Sequence, residues 1–214
     1  MAEGILLFVE QRDGVMGRTT LEALVACQEM ASSLGEKISA VVLGKEISAV
    51  AAEIAQKKIE RVYAVEDDKL AQYSPDGYVA ALQQTIEKLA PKFVILSHTY
   101  QVRDFIPRLA ARLGKTLIPD CIALSVTGSE VLFTRQVFQG KINTDVKAAP
   151  AATLFATFQA GSYRADKAES GTQPASIESL AVDLSAVNIR TKSEEKFQEA
   201  KQAVDLSQAE LIVS

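Results

Sequence analysis

Phe93-Val94-Ile95-Leu96, followed by Ser97-His98-Thr99-Tyr100 and then by apolar Phe105, Ile106, Leu109 and Leu113, switches hydrophobic period within a dozen residues. A short continuous apolar run is the pattern of a strand covered on both faces, and the spacing after it is that of a helix with one apolar stripe. Pro107 is expected in the first turn of that helix, because in the interior it removes a bond and clashes. That places the helix start near Arg103 or Asp104, with Gly114 at the end.

The same alternation repeats upstream. Ile5-Leu6-Leu7-Phe8-Val9 reads as a buried strand, Gln11 to Arg18 as a polar loop, and Leu21, Leu24, Cys27, Ala31 and Leu34 as a helix stripe stopped by Gly35. Ile38 to Leu43 is a second strand, ended by Gly44. Ser48 is placed to cap an Ala-rich helix running to about Lys58. Arg61 to Val65 is a third strand, and Ser74-Pro75 opens a helix with Val79, Leu82, Ile86 and Leu89 on its stripe, closed by Pro91. Repeated strand–helix units imply an α/β fold, a doubly wound and mostly parallel sheet with helices on both faces.

From Cys121 the pattern changes. Ile122 to Val126, Val131 to Phe138 and Thr153 to Phe158 are strand-like with no helix between, and Thr127-Gly128-Ser129 and Gln139-Gly140-Lys141 supply reversals, so an antiparallel extension of the sheet is predicted. After a polar stretch from Ser162 to Ser176, Leu180 to Leu184 and Asn188 to Thr191 read as strands again. Residues 1–190 are taken as one α/β domain and 191–214 as a charged segment, with Glu194-Glu195-Lys196 and Lys201, that leads into a further strand. Ala209-Glu210-Leu211-Ile212-Val213-Ser214 opens such a strand, and the natural protein is expected to continue past it.

Composition narrows the function. The 214 residues are 48% hydrophobic and 23% charged, ordinary for a globular chain. A net charge of −4, from 23 basic and 27 acidic residues, with Lys57-Lys58 and Arg103 to Arg112 interleaved with acids or apolar residues, argues against nucleic acid. No stretch reaches the ~18 apolar residues of a membrane span, and the start, with Glu3, is unlike a secretory signal, so the cytoplasm is expected. Cys27 and Cys121 sit among apolar neighbours and read as buried thiols.

Chemistry-bearing residues are few. His98, the single histidine, lies at the carboxyl end of a strand, where open parallel sheets bind ligands. It either caps and packs there, or acts with Arg103 or Asp104. One His and two separated Cys do not make a metal site, and no serine sits in a Gly-flanked nucleophile turn. Gln11-Arg12-Asp13-Gly14-Val15-Met16-Gly17-Arg18 has two glycines but no dinucleotide or triphosphate fingerprint; it reads as a solvated loop, with Arg18 and Arg103 the remaining candidate anion contacts. Asp67-Asp68 and Glu194-Glu195 show no convergent partners. The residues themselves specify no catalytic, metal or cofactor site.

Four blocks in order resemble the electron-transfer flavoprotein alpha subunit family. The first is Ile5-Leu6-Leu7-Phe8-Val9-Glu10 with the Thr20-Leu21-Glu22-Ala23-Leu24 helix. The second is Ser97-His98-Thr99 with Asp104-Phe105-Ile106-Pro107-Arg108-Leu109-Ala110-Ala111-Arg112-Leu113, continuing into Leu117-Ile118-Pro119-Asp120-Cys121-Ile122. The third is Phe133-Thr134-Arg135-Gln136-Val137-Phe138-Gln139-Gly140-Lys141, where the family's aromatic-small-Gly-Asn wording is altered. The last is Pro150-Ala151 leading into Thr153-Leu154-Phe155-Ala156-Thr157-Phe158. The resemblance implies an adenine-nucleotide alpha-hydrolase-like fold in an electron carrier rather than an enzyme. It also implies a heterodimer with a beta subunit, FAD bound mainly by a C-terminal domain, and electrons passed from flavin dehydrogenases, such as the acyl-CoA dehydrogenases of fatty acid beta-oxidation, to a quinone oxidoreductase or other acceptor. No flavin contact of the family maps onto a numbered residue here, and none is expected on this chain alone. The alternative is a stand-alone adenine-nucleotide-binding domain with Gln11 to Arg18 and Ser97 to Thr99 lining its crevice.

Overall fold

In the computed structural model, which describes residues 3–148, 153–191 and 194, the alternating half of the chain forms the parallel sheet that its apolar runs predict. β1 (Ile5–Val9) leads through a two-strand hairpin, β2 (Gln11–Arg12) and β3 (Val15–Met16), to α1 (Arg18–Leu34). β4 (Ile38–Gly44), α2 (Ser48–Ala55), β5 (Arg61–Glu66), α3 (Pro75–Leu89), β6 (Phe93–Ser97) and α4 (Tyr100–Leu113) follow. Next come β7 (Thr116–Thr127), β8 (Glu130–Val137), β9 (Ile142–Val146), β10 (Leu154–Phe158) and β11 (Ser176–Ser179). The nine-stranded sheet has the order β11-β5-β4-β1-β6-β10-β7-β8-β9.

Alternate strand residues feed two cores. Ile5, Leu7 and Val9 pack with Leu24, Cys27 and Met30 of α1 and with Val50 and Ile54 of α2. Leu6 and Phe8 pack on the other face with Tyr78, Leu82 and Ile86 of α3 and with Phe105 and Leu109 of α4. Burial on both faces is why β1 and β6 contain no polar position before their ends. The helices change face between β5 and β6, so the direction of winding reverses at the β1/β6 pair.

Several helix ends follow local chemistry. Ser74 caps α3, its hydroxyl accepting from the Gly77 amide at 3.2 Å, and Gly35 and Gly114 close α1 and α4 in the left-handed conformation. Two expectations fail. Ser48 is the first residue of α2, not its cap; the preceding Ile47 amide donates to Glu66 Oε1 at 2.9 Å instead. Pro107 is in the interior of α4, because Thr99, not a residue near Arg103, starts the helix by accepting from the Val102 amide at 3.2 Å. The earlier start buries Val102 completely, and the carbonyl that loses its partner belongs to exposed Arg103.

Beyond α4, β7 is a long strand with two allegiances. Its first half lies parallel to β10 and its second half pairs antiparallel with β8, with register shifts on both sides of the crossover. Asp120 sits at that crossover with φ 61°, a left-handed conformation that Asp tolerates better than most residues. β7, β8 and β9 make the predicted antiparallel extension. β10 does not belong to it, contrary to expectation: all five residues are buried, and it inserts in parallel between β6 and β7.

The C-terminal part also differs from the sequence reading. The edge strand is Ser176–Ser179, parallel to β5, and neither 180–184 nor 188–191 is a strand. Leu184 is instead an anchor, 1% exposed, in the α3/α4 core. The strand read at Leu211-Ile212-Val213 lies outside the described residues.

Candidate functional site

Open α/β sheets take ligands at the carboxyl ends of their strands, where the winding reverses. Here that place is the β1/β6 pair, and the protein's own side chains hydrogen-bond across it. Glu10 directly follows β1, and Thr99 Oγ1 donates to Glu10 Oε2 at 2.6 Å while capping α4. Burial raises the Glu10 carboxyl above its ordinary value, opposed by the Thr99 bond and by Arg12. One strand over, Gln11 Nε2 donates to the Leu43 carbonyl at 3.1 Å, and its Oε1 accepts from the Gly14 amide at 3.0 Å. Gly44 is needed beneath it, since a Cβ there would lie 2.7 Å from Gln11 Nε2 and 2.5 Å from Ile47 Cγ2.

The turn holding Gln11 in place is Asp13-Gly14, with φ 54° and 77°, which closes the β2–β3 hairpin. Asp-Gly is a strong hairpin signal, so this element was visible in a stretch that reads overall as polar loop. A flavin or nucleotide pyrophosphate needs approachable backbone amides and no opposing carboxylate. With Glu10 and Gln11 lying over the strand ends, these residues do not fit one.

His98 joins three strands at the same edge. Its amide donates to the Phe158 carbonyl at 2.7 Å, and Nδ1 lies 2.8 Å from Thr157 Oγ1. That hydroxyl also accepts from the Asp120 amide at 3.0 Å, so its own proton is free to go to Nδ1. The other ring nitrogen, Nε2, faces Asp120 Oδ1 at 3.7 Å. Of the two roles open to His98, the geometry supports capping and packing. Arg103 stacks over the exposed Tyr100 ring, 5.5 Å from its centroid, while Asp104 Oδ2 accepts from Tyr73 at 2.6 Å. The three side chains do not converge on one reacting atom.

Burial lowers the His98 pKa from its ordinary 6.5, with Asp120 opposing and Arg103 and Arg135 reinforcing the shift. The folded chain therefore binds this proton less readily than the unfolded one, and the stability tied to a neutral imidazole is complete above about pH 6.5. It is lost as the pH falls from there toward the lower folded value. With a single histidine, its ring-proton NMR titration is unambiguous; a midpoint below 6.5 is expected, and one at or above 6.5 contradicts this electrostatic picture.

The remaining candidates are not brought to this edge as a group. Arg18 is the exposed first residue of α1. Asp67 caps a short turn by accepting from the Lys69 amide at 2.8 Å, and Asp68 pairs with Lys45 at 2.9 Å. Cys27 and Cys121 are buried free thiols, that of Cys121 pushed up to about 12 by burial. Glu194 is exposed, and Glu195 lies outside the described residues. Among the described residues there is no cluster of His, Cys, Asp or Glu able to hold a metal ion, and no helix is long and apolar enough to cross a membrane.

A mostly parallel sheet with this order, hydrogen-bonded side chains at its reversal point and an antiparallel extension defines a doubly wound α/β domain. The chain belongs to the electron transfer flavoprotein domain family, matching it over residues 5–185. It is 35% identical over its full length to the electron transfer flavoprotein subunit alpha of Bacillus subtilis. Over 99% of its length it is 30% identical to the subunit alpha of Clostridium acetobutylicum. It is also similar, at 25% identity over 98% of its length, to the acryloyl-CoA reductase electron transfer subunit beta of Anaerotignum propionicum. The chain spans 64% of the length of each of these relatives.

Proposed function

We propose that this chain is the N-terminal scaffold of an electron-transfer flavoprotein alpha subunit, supplying architecture and the surface for a beta subunit. FAD is held mainly by the C-terminal part of the full-length protein. The assembled flavoprotein works in the cytoplasm as a carrier, passing electrons from flavin dehydrogenases, such as acyl-CoA dehydrogenases, to an acceptor. The observation that supports this reading is the hydrogen bonding at the reversal point, where Glu10, Thr99 and Gln11 are engaged with the protein itself at the strand ends a nucleotide would approach. The same observation weighs against a stand-alone adenine-nucleotide site, which would have to break the Glu10–Thr99 bond and turn a half-buried carboxylate away from a phosphate. The name of the Anaerotignum relative supports a partner acting on a coenzyme A thioester.

The test is co-expression with the beta subunit of the same flavoprotein, followed by gel filtration with the visible spectrum recorded across each peak. Co-elution at the size of a heterodimer is expected, and the chain alone, desalted after incubation with FAD, should be colourless. Two separate monodisperse species would overturn the partner assignment. A stoichiometric flavin band on the isolated chain, bleached by dithionite, would overturn the division of labour.

A further inference from the structure

After β11 the chain leaves the sheet edge and runs back along α3 from its last turn to its first. Lys88, near the end of α3, donates to the Ala181 carbonyl. One turn earlier Gln84 holds residue 183 twice, donating to the Asp183 carbonyl and accepting from the Asp183 amide, both at 2.8 Å. Lys69 Nζ then donates to three carbonyls, those of Leu184, Ser185 and Val187, at 2.7, 2.9 and 3.1 Å. In the first turn of α3, Asp76 takes Arg190 through Nη2 at 2.7 Å, Nε at 3.1 Å and the backbone amide at 3.1 Å.

Asp76 has further support. It accepts from Arg108 of α4 at 2.8 Å, and it lies at a helix N-terminus, where a negative charge is favoured. Its side chain is only 11% exposed. The Arg190 side-chain and backbone bonds, with Arg108, hold its carboxyl well below the usual carboxylate range. A carboxyl with a depressed pKa contributes stability above its unfolded value, and that stability is lost only as the pH drops through the folded one. Mild acid therefore does not loosen the grip.

We propose that residues 180–190 form a fixed strap along α3, and that Asp76 is the positioning residue that anchors the strap at Arg190. This goes beyond the flavoprotein reading and does not depend on it, since the grip is a property of these residues alone.

Hydrogen exchange followed by mass spectrometry on the 214-residue chain tests the idea. In the wild type, peptides covering residues 180–190 should exchange far more slowly than an unstructured peptide. Asp76→Ala should speed exchange at residues 187–190 at least tenfold, because the Arg190 amide loses its acceptor, while peptides from β1 and β6 stay as in the wild type. Asp76→Asn, which keeps an acceptor oxygen but loses the charge, should recover part of that protection. Gln84→Ala should loosen the Asp183 end and leave the Arg190 end held. Exchange of the wild-type strap at unstructured rates, an unchanged rate in Asp76→Ala, or acceleration of β1 and β6 to the same degree would each overturn the proposal.

Discussion

Replacing Phe105 by alanine should lower the unfolding free energy by about 3–5 kcal/mol, the range for removing a fully buried aromatic ring. Phe105 is 0% exposed, and its ring lies 5.5 Å from that of Phe8 at 68°, 5.8 Å from Tyr78 and 6.4 Å from Tyr73. The loss therefore combines the transfer of the ring, the cavity left behind and the aromatic contacts, edge-on with Phe8 and tilted with Tyr78 and Tyr73, which add about 0.5–1.5 kcal/mol a pair. α3 and α4 meet the sheet through this cluster, so nearby backbone cannot easily close the void. In a chain of this size each kcal/mol moves the melting temperature by roughly 2–4 °C. A urea titration should show a lower midpoint with an unchanged slope. Phe105→Leu should cost clearly less, and a loss below about 1 kcal/mol for alanine would show that the cluster repacks.

Thr157→Val should cost about 2–4 kcal/mol although it changes almost no volume. Thr157 is 0% exposed, and its hydroxyl is the acceptor for the Asp120 amide and the partner of His98 Nδ1. Valine fills the same space but leaves two polar groups without a partner, at roughly 1–3 kcal/mol each. Asp120 is also the left-handed residue at which β7 changes partners, so the amide exposed by the substitution belongs to the bend itself. The urea midpoint should fall as for a cavity variant, and amide exchange should quicken around 118–123 before it does in β1. Thr157→Ser, which restores the hydroxyl at the cost of a methyl group, should recover more than half of the loss.

How far the sequence carried the reading depends on the range of each interaction. β1, α1, β4, β5, α3 and β6 are specified by neighbouring residues, through a continuous apolar run, a stripe at helical spacing, a Ser-Pro start or a closing glycine, and these were legible. Pro107 was misplaced because a local rule about proline was set against a capping threonine and the burial of Val102, both of which favour the longer helix. β10 was assigned to the wrong part of the sheet because an apolar run announces burial but not its neighbours; those lie in β6 and β7, far back in the chain. At the candidate site, His98 was correctly placed at a strand end. Its partners Thr157 and Asp120 are distant in sequence, and only folding brings them together. The Glu10–Thr99 bond at the strand ends was equally hidden, since the two residues are 89 apart in sequence.

The insertion of β10 has a consequence for how the chain is made. β6 is complete at Ser97 and β7 at Thr127, yet they cannot pair with each other, because the strand between them is Leu154–Phe158. At a synthesis rate of roughly 5–20 residues per second, the edge of β6 waits several seconds on the ribosome for its neighbour. Throughout that interval the four apolar residues Phe93-Val94-Ile95-Leu96 can be paired on one side only, with β1. The nascent polypeptide thus has a window in which other chains compete for that gap, and it closes when Phe158 emerges.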